Sequence, residues 1–138
     1  MDSDNMLLYI AKNAEIGKDL YAQIIGVEHY NNQFKLTLKK RLIDYDNICS
    51  YINDIQKDQN IDAESKNISS YFSTNFNFCK DAPENNTAKM LLLDSISGII
   101  NIKKNITESP QIDNSTKRLA QLLSDTELKN MNEIKKFT

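Results

Sequence analysis

Apolar residues recur along the first half of the chain at alternating steps of three and four, the spacing of one face of an α-helix. The first row consists of Leu7, Ile10, Ala14, Gly17, Tyr21 and Ile24, and the second of Phe34, Leu38, Leu42, Tyr45, Ile48, Ile52 and Ile55. The stretch GVEHYNN between the rows predicts a short turn, so the two helices should be antiparallel neighbours. We expect helices at about residues 3–27 and 32–58, with Asp2 or Ser3 capping the first.

The second half predicts another helical pair, at about residues 86–108 and 113–137, separated by Pro110. Its apolar positions are Met90, Leu92, Leu93, Ile96, Ile99, Ile100 and Ile106, then Leu119, Leu122, Leu123, Met131, Ile134 and Phe137. The helical phase places Leu92, Ile96 and Ile99 on the core face of the third helix and Asp94 on a different, polar side. Three apolar residues fall outside these rows: Leu8, Leu91 and Ile102. Such residues are commonly buried in a dimer interface or in a contact with a crossover segment.

The segment between the two pairs, residues 59–85, is too long for a helical hairpin, which needs only about 2–8 residues. If helical, it would reach about 40 Å, one full bundle length. We expect a crossover with a short helix at about residues 64–80, whose aromatic side chains cover the open side of the bundle. Those side chains are Tyr71, Phe72, Phe76 and Phe78. The predicted fold is all-α: one domain, residues 1–138, with two antiparallel hairpins joined by a long crossover in a ferritin-like four-helix bundle.

Four stretches carry a resemblance to a known group of proteins: LLYIAKNAEIGKDL, LTLKKRLIDYDNI, KMLLLDSISGIINIKKNI and RLAQLLSDTELKNMNEIKKF. Together they resemble small ferritin-like four-helix-bundle proteins of low-GC, mostly anaerobic Gram-positive bacteria. The resemblance implies a ferritin-like bundle and, because some ferritin-like relatives are associated with spore coats or stress responses, a role in sporulation or stress. It rests on helix faces and implies no functional residue.

Composition and charge narrow the function classes. The chain has 138 residues, 40% hydrophobic and 26% charged, and its net charge is -2. A nucleic-acid binder or a polybasic membrane-surface protein would need a phosphate-neutralising patch, so both are disfavoured. The basic stretch KLTLKKRL is interpreted as a solvated helix face. The start MDSDN lacks a signal peptide and no run is apolar enough for a membrane span, so a cytoplasmic location is expected.

A ferritin-like di-iron site needs a Glu from each of two helices and a Glu-x-x-His motif from each of the other two. The chain has a single histidine, His29, in the predicted turn, and no Glu-x-x-His motif. Four mid-helix acids could still form a carboxylate site for Mg²⁺, Mn²⁺ or Ca²⁺. These candidates are Glu15, Asp44, Asp94 and Glu127, with Asp94 acting beside Glu15 or Glu127. We favour instead the interpretation that these acids lie at the edges of the apolar faces, reach solvent, or pair with lysines and tyrosine hydroxyls.

Nucleophilic catalysis would need a base beside Cys49 or a serine, and His29 lies in a turn where helix geometry does not favour such a pair. We therefore expect a non-enzymatic structural or protein-interaction bundle without a cofactor, with a homodimer or a protein as partner. A ferritin-like carboxylate metal-binding protein is the alternative. A bundle that binds an apolar ligand between its helices is the third hypothesis.

Overall fold

The computed structural model describes residues 1–59 and 79–138, and every regular element in these ranges is helical. Helix α1 spans Ser3–Ile25, α2 Asn32–Gln59, α3 Glu84–Thr107 and α4 Asn114–Ile134, and a 3-10 turn, Lys135–Phe137, follows α4. Residues 79–81 are also helical. The all-α prediction is confirmed, and the bounds differ from the predicted ones by a few residues. The crossover residues 60–78, which include most of the predicted short helix and its four aromatic side chains, lie outside the described residues.

The starts of α1 and α4 are capped by aspartates that precede them. Asp2 Oδ1 accepts the backbone N–H of Asn5 at 2.8 Å, and Asp113 Oδ1 accepts that of Thr116 at 2.8 Å. Each bond satisfies a donor that has no partner within its helix. Ser3, the other predicted cap, instead accepts the backbone N–H of Asp113 through its hydroxyl at 2.9 Å. The first turns of α1 and α4 are thereby joined at one end of the molecule.

Contacts between the helices fix their directions. α1 and α4 are parallel, because Ser3 meets Asp113 near their starts and Tyr21 meets Asn130 near their ends. α2 and α4 are antiparallel, since early residues of α2 bond to late residues of α4. α3 packs antiparallel on α4 and begins beside the start of α2. Two helices, α1 and α4, therefore run one way, and α2 and α3 run the other.

The buried faces of α1 and α2 follow the predicted rows closely. All six residues of the α1 row are buried, and so are five of the seven in the α2 row, with Leu42 and Ile55 packed at its edge. In α4 the residues on the core face include Leu119, Ala120, Leu123 and Ile134. The core thus lies between the helices along the full length of the described bundle.

The predicted core face of α3 is wrong. Leu92, Ile96 and Ile99 are only partly buried, and the buried positions are Thr87, Ala88, Leu91, Ser95 and Ile102. Leu91 and Ile102, predicted to be left over at the surface, are each 1% exposed. The face turned inward carries small and polar side chains because it meets a polar centre, described below. The exposed apolar residues of α3 are instead Leu93, at 64%, and Ile100, at 61%.

Arg41 departs from the prediction of a solvated basic face. It is 7% exposed, with guanidinium nitrogens 3.1 Å from Asp44 Oδ2 and 3.4 Å from Glu133 Oε1. The long aliphatic stem is buried while the charged end reaches acids on its own helix and on α4. Neighbouring Lys39 and Lys40 are exposed as expected.

The outer surfaces of α2 and α3 each carry a pair of exposed apolar residues. Leu36 and Ile43 lie seven positions apart on α2, as do Leu93 and Ile100 on α3. A seven-residue separation keeps both members of a pair on one helix face. In the two stretches of chain that the structure describes, no helix is long and apolar enough to cross a membrane.

The turn between α1 and α2 is fastened to the residues that lead into α3. Tyr30 is buried, and its hydroxyl donates to the carbonyl oxygens of Cys79 and Ala82, the latter at 3.1 Å. Thr87 Oγ1 lies 2.6 Å from the same hydroxyl. His29 Nε2 donates to the Ala82 carbonyl at 3.1 Å, which fixes the proton on that nitrogen. This cluster links the two halves of the described chain.

Tyr30→Phe should lower the free energy of unfolding by about 1–2 kcal/mol, because buried acceptors lose their donor while the ring still packs. Urea unfolding monitored by circular dichroism measures the change. Tyr51→Phe is the matched control, because Tyr51 is exposed on α2. The free energy of unfolding of this variant should stay within about 0.5 kcal/mol of the wild-type value. Equal effects of the two substitutions would contradict a structural role for the Tyr30 hydroxyl.

Candidate functional site

A pocket of about 160 Å³ opens between α1 and α3 and reaches the centre of the bundle. Its described lining residues are Asn13, Ile16, Gly17, Leu20 and Tyr21 of α1, Tyr45 of α2, Leu91, Asp94, Ser95, Ser97, Gly98 and Asn101 of α3, and Glu127 of α4. All four long helices contribute to it. Tyr21 and Tyr45 form its buried wall, and Asp94 and Ser97 lie on the exposed side.

The position of the Tyr45 ring depends on Gly17. A Cβ at Gly17 would lie 2.8 Å from Cε2 and from Cζ of Tyr45, closer than real Cβ contacts come. Glycine therefore lets the ring of an α2 residue lie directly on the backbone of α1. In that position the Tyr45 hydroxyl donates a hydrogen bond to Glu127 Oε1 at 2.6 Å.

Asn130 joins the second tyrosine to α3. Its Nδ2 donates to the Tyr21 hydroxyl and, at 2.8 Å, to Ser95 Oγ. Asn130 is fully buried, and its Oδ1 accepts no hydrogen bond from the described residues. The rings of Tyr21 and Tyr45 meet edge to face, with centroids 5.4 Å apart. The centre of the bundle is therefore a polar cluster rather than an apolar layer.

Burial decides the ionisation of this cluster. It raises the pKa of the Glu127 carboxyl, as does the negative charge of Asp94, while hydrogen bonds from Tyr45 and Ser95 act in the opposite direction. Burial also raises the pKa of Tyr21 and of Tyr45, so both phenols stay neutral at physiological pH. Glu127 keeps some accessible surface because the pocket reaches it. No described residue that lines the pocket carries a positive charge.

The four predicted acids separate into two groups. Asp94 and Glu127 line the same pocket, whereas Asp44 pairs with Arg41. Glu15 faces α2, where its charge contributes to raising the pKa of the Cys49 thiol. Of the two partners predicted for Asp94, the pocket contains Glu127 and not Glu15.

Asp94 is exposed, as its helical phase predicted, but it lies on the rim of the pocket rather than on an unrelated face. Within residues 1–59 and 79–138, His, Cys, Asp and Glu form no group of three or more that could hold a metal ion. Two carboxylates in one pocket remain the strongest cation-attracting feature of this part of the chain.

Sequence reasoning missed Tyr21, Tyr45 and Ser95, which line the pocket, and Asn130, which bonds to Tyr21 and Ser95. The available signal was polar atoms at core positions: Tyr21 and Tyr45 belong to the apolar rows, and Asn130 follows Glu127 by three residues and shares its helix face. Buried polar groups need partners, so several of them at core positions predict a shared cluster. Their convergence from four helices depends on the packing, which no local pattern records.

The residues considered for nucleophilic chemistry lie outside this pocket. Cys49 and Cys79 are free thiols and both are buried. Burial is the largest cause that raises the pKa of Cys49 to about 11, which leaves little thiolate at neutral pH. His29 donates to the Ala82 carbonyl in the turn. Neither thiol therefore has the thiolate character that a nucleophile requires.

Comparison with other proteins does not help to interpret this pocket. Neither a family model nor a curated protein nor a solved structure matches the chain.

Proposed function

We propose that this protein is a non-enzymatic helical bundle that works by binding, with the pocket between α1 and α3 as its binding site. One observation carries the proposal: the pocket leads from the surface to Glu127 and passes Asp94, and none of its described lining residues is basic. A carboxyl held away from water without a countercharge is costly to ionise. A bound ligand that supplies hydrogen bonds or charge offsets this cost.

Two features support binding rather than catalysis. Burial raises the pKa of Tyr21 and of Tyr45, so the tyrosine hydroxyls at the pocket act as hydrogen-bond donors and not as phenolate nucleophiles. His29, the single histidine of the chain, is hydrogen-bonded to the Ala82 carbonyl in the turn and does not line the pocket. The described lining of the pocket includes neither a histidine nor a cysteine.

A ferritin-like topology is part of the proposal. α2 and α3 run in the same direction and start side by side, so the chain has to return from the end of α2 to the start of α3. α2 has 28 residues and is therefore about 42 Å long at 1.5 Å per residue. Residues 60–83 are numerous enough to span that distance, since each residue of a chain can reach up to about 3.3 Å. From the resemblance of its helices to small ferritin-like bundles we propose a role in sporulation or stress, and a cytoplasmic location stays a prediction.

The two carboxylates favour a metal ion as a second candidate. Asp94 and Glu127 share the pocket with serine, asparagine and tyrosine oxygens, the donors that Mg²⁺, Mn²⁺ and Ca²⁺ prefer. Two carboxylates are few for a tight site of that kind. We therefore rank the metal below a molecular ligand.

Metal analysis and chelation separate the two candidates. Freshly purified protein should hold far less than one metal ion per chain, and its melting temperature should not fall in the presence of EDTA. Addition of Mn²⁺ should leave the melting temperature within about 1 °C, since only a ligand that binds the folded state stabilises it. A stoichiometric metal, or a rise with Mn²⁺ that Glu127→Gln abolishes, would establish the metal candidate instead.

The binding proposal itself is tested by ligand-observed NMR with small cationic, neutral and anionic probes. At least one probe should bind, and Gly98→Leu should abolish that binding, because Gly98 lines the pocket and a Cβ there points at Glu127 Cγ, 3.5 Å away. Binding that survives the pocket-filling variant, or no binding by any probe, would refute the pocket as the site. Circular dichroism of the variant checks that it keeps its helices.

A homodimer or a protein partner is proposed from the surface. The paired apolar residues Leu36 and Ile43 on α2, and Leu93 and Ile100 on α3, are exposed in the single chain and are the kind of residue that subunit interfaces cover. Light scattering of the wild type and of the Leu93→Glu, Ile100→Glu variant tests this. A monomeric wild type would refute the homodimer.

A further inference from the structure

Resting on the proposed binding function, we infer that the pocket takes a small organic cation, a primary ammonium group on a short alkyl chain. The ammonium lies at Glu127, and the alkyl chain lies along Ile16, Leu20 and Leu91. This ligand class specifies the charge, the polarity and the size of the molecule that binds in the pocket.

The charge of the pocket selects a cation. The carboxyl-bearing Glu127 lines its inner part, Asp94 lies on its rim, and the described lining residues include no Lys, Arg or His. Asp94 and burial together raise the pKa of Glu127, which indicates that its negative charge is unfavourable in the unliganded protein. A positive ligand would relieve that repulsion, whereas an anion would increase it.

The hydrogen-bond acceptors suit an ammonium group. A primary ammonium has three donors and no acceptor. One oxygen of Glu127 already accepts from Tyr45, and each carboxylate oxygen has a second lone pair. The hydroxyl oxygen of Ser95 and the side-chain oxygens of Asn13 and Asn101 line the same space.

The shape of the pocket selects an organic ion rather than a bare one. Its volume of about 160 Å³ is close to the ~150 Å³ of an engineered cavity that accommodates benzene. Three aliphatic side chains, Ile16, Leu20 and Leu91, lie on its walls beside the acids. A hydrated metal ion gains nothing from aliphatic walls, whereas a chain of about four carbons buries apolar surface against them.

The binding should be coupled to the ionisation of Glu127. Because the ammonium pairs with the carboxylate and not with the protonated acid, binding below the folded pKa of Glu127 requires the loss of a proton. The ammonium should therefore bind more tightly as the pH rises towards neutrality. The other titratable groups that face Glu127 are Tyr9 and Tyr21 of α1, Tyr45 of α2 and Asp94 of α3. The same pH dependence of the affinity, measured with Asp94→Asn, gives the contribution of Asp94.

The test uses the full chain and two-dimensional amide NMR, with n-butylammonium, its uncharged isostere 1-butanol, butanoate and Mn²⁺ as probes. We expect n-butylammonium to bind at least about tenfold more tightly than 1-butanol, the factor that corresponds to one partly buried charge pair. Glu127→Gln should remove that preference, and Asp94→Asn should reduce it by a smaller factor. Asp125→Asn, which removes an exposed acid two positions from Glu127, should change the affinity less than about twofold.

The outcomes separate the inference from the proposed function. If 1-butanol or butanoate binds as tightly as n-butylammonium and Gly98→Leu abolishes that binding, the ligand class is wrong and the pocket stands. If none of the organic probes binds, both the ligand class and the binding function are refuted. If Mn²⁺ alone saturates the pocket resonances, the metal candidate replaces the organic cation. Retention of the ammonium preference in Glu127→Gln would also refute the inference.

Discussion

Gly17→Ala is expected to lower the free energy of unfolding by about 2 kcal/mol, although alanine is the better helix former by about 1 kcal/mol. The added Cβ would lie 2.8 Å from two ring atoms of Tyr45, so either the ring or the α1–α2 distance has to change. Overpacking of this kind costs about 1–3 kcal/mol. Displacement of the ring also withdraws the hydroxyl from Glu127, and a hydrogen bond to a charged group contributes about 1.5–3 kcal/mol.

Gly98→Ala is the matched control, since it makes the same substitution in the middle of α3. There the nearest atom to the new Cβ would be Glu127 Cγ at 3.5 Å, an ordinary contact, so the variant should gain about 0.5–1 kcal/mol. Urea unfolding of both variants measures the difference. Adding Tyr45→Leu to Gly17→Ala should cost less than the sum of the single changes, because the ring that meets the methyl is gone. Stabilisation by Gly17→Ala would contradict the packing described.

Glu127→Gln is expected to stabilise the protein at neutral pH, by an amount that disappears as the solution is acidified. Burial raises the folded pKa of Glu127 above its ordinary value of 4.5. At pH values between the ordinary pKa and the folded pKa of Glu127, the folded state binds more protons than the unfolded state. The stability of the wild type therefore falls as the pH rises through this range. Each unit of the shift corresponds to about 1.4 kcal/mol. Glutamine keeps an oxygen that accepts from Tyr45, and it carries no charge to bury.

Unfolding curves of wild type and variant at a series of pH values test this. The difference between the two free energies should grow as the pH rises above about 4.5 and become constant above the folded pKa of Glu127. Asp125→Asn supplies the reference, because it removes an exposed acid from the same helix. A Glu127→Gln difference that does not change with pH would mean that the carboxyl is well solvated.

The sequence predicted the faces of α1 and α2, and most of the face of α4, because each has one clear apolar row between polar positions. In α4 the predicted row also contained Leu122, which is exposed. α3 is different, since Leu91, Leu92 and Leu93 are consecutive and point in three directions. The face that turns inward is selected by Ser95, which bonds to Asn130 of α4, and not by hydrophobicity. A partner 35 positions away cannot be inferred from the local pattern. The burial of Arg41 could not be predicted for the same reason, because it depends on Glu133 of α4, which is distant in the sequence.

The candidate site was predicted only in part. Asp94 and Glu127 could be singled out as acids on helix faces, and one of the two pairings proposed for Asp94 is the one that the pocket contains. The cavity itself could not be foreseen, because it depends on the distance between α1 and α3. The inner wall of the cavity depends in addition on the packing of Tyr45 of α2 against Gly17 of α1.

The contacts of Tyr30 have a consequence for the order of folding. They join residues 49 to 57 positions apart, whereas the α1–α2 and α3–α4 pairs each close through a short turn. Local contacts form before distant ones, because the loop-closure entropy is smaller. We expect the two hairpins to form early and to dock through Tyr30 late. Tyr30→Phe should then accelerate unfolding and leave the refolding rate nearly unchanged in stopped-flow measurements.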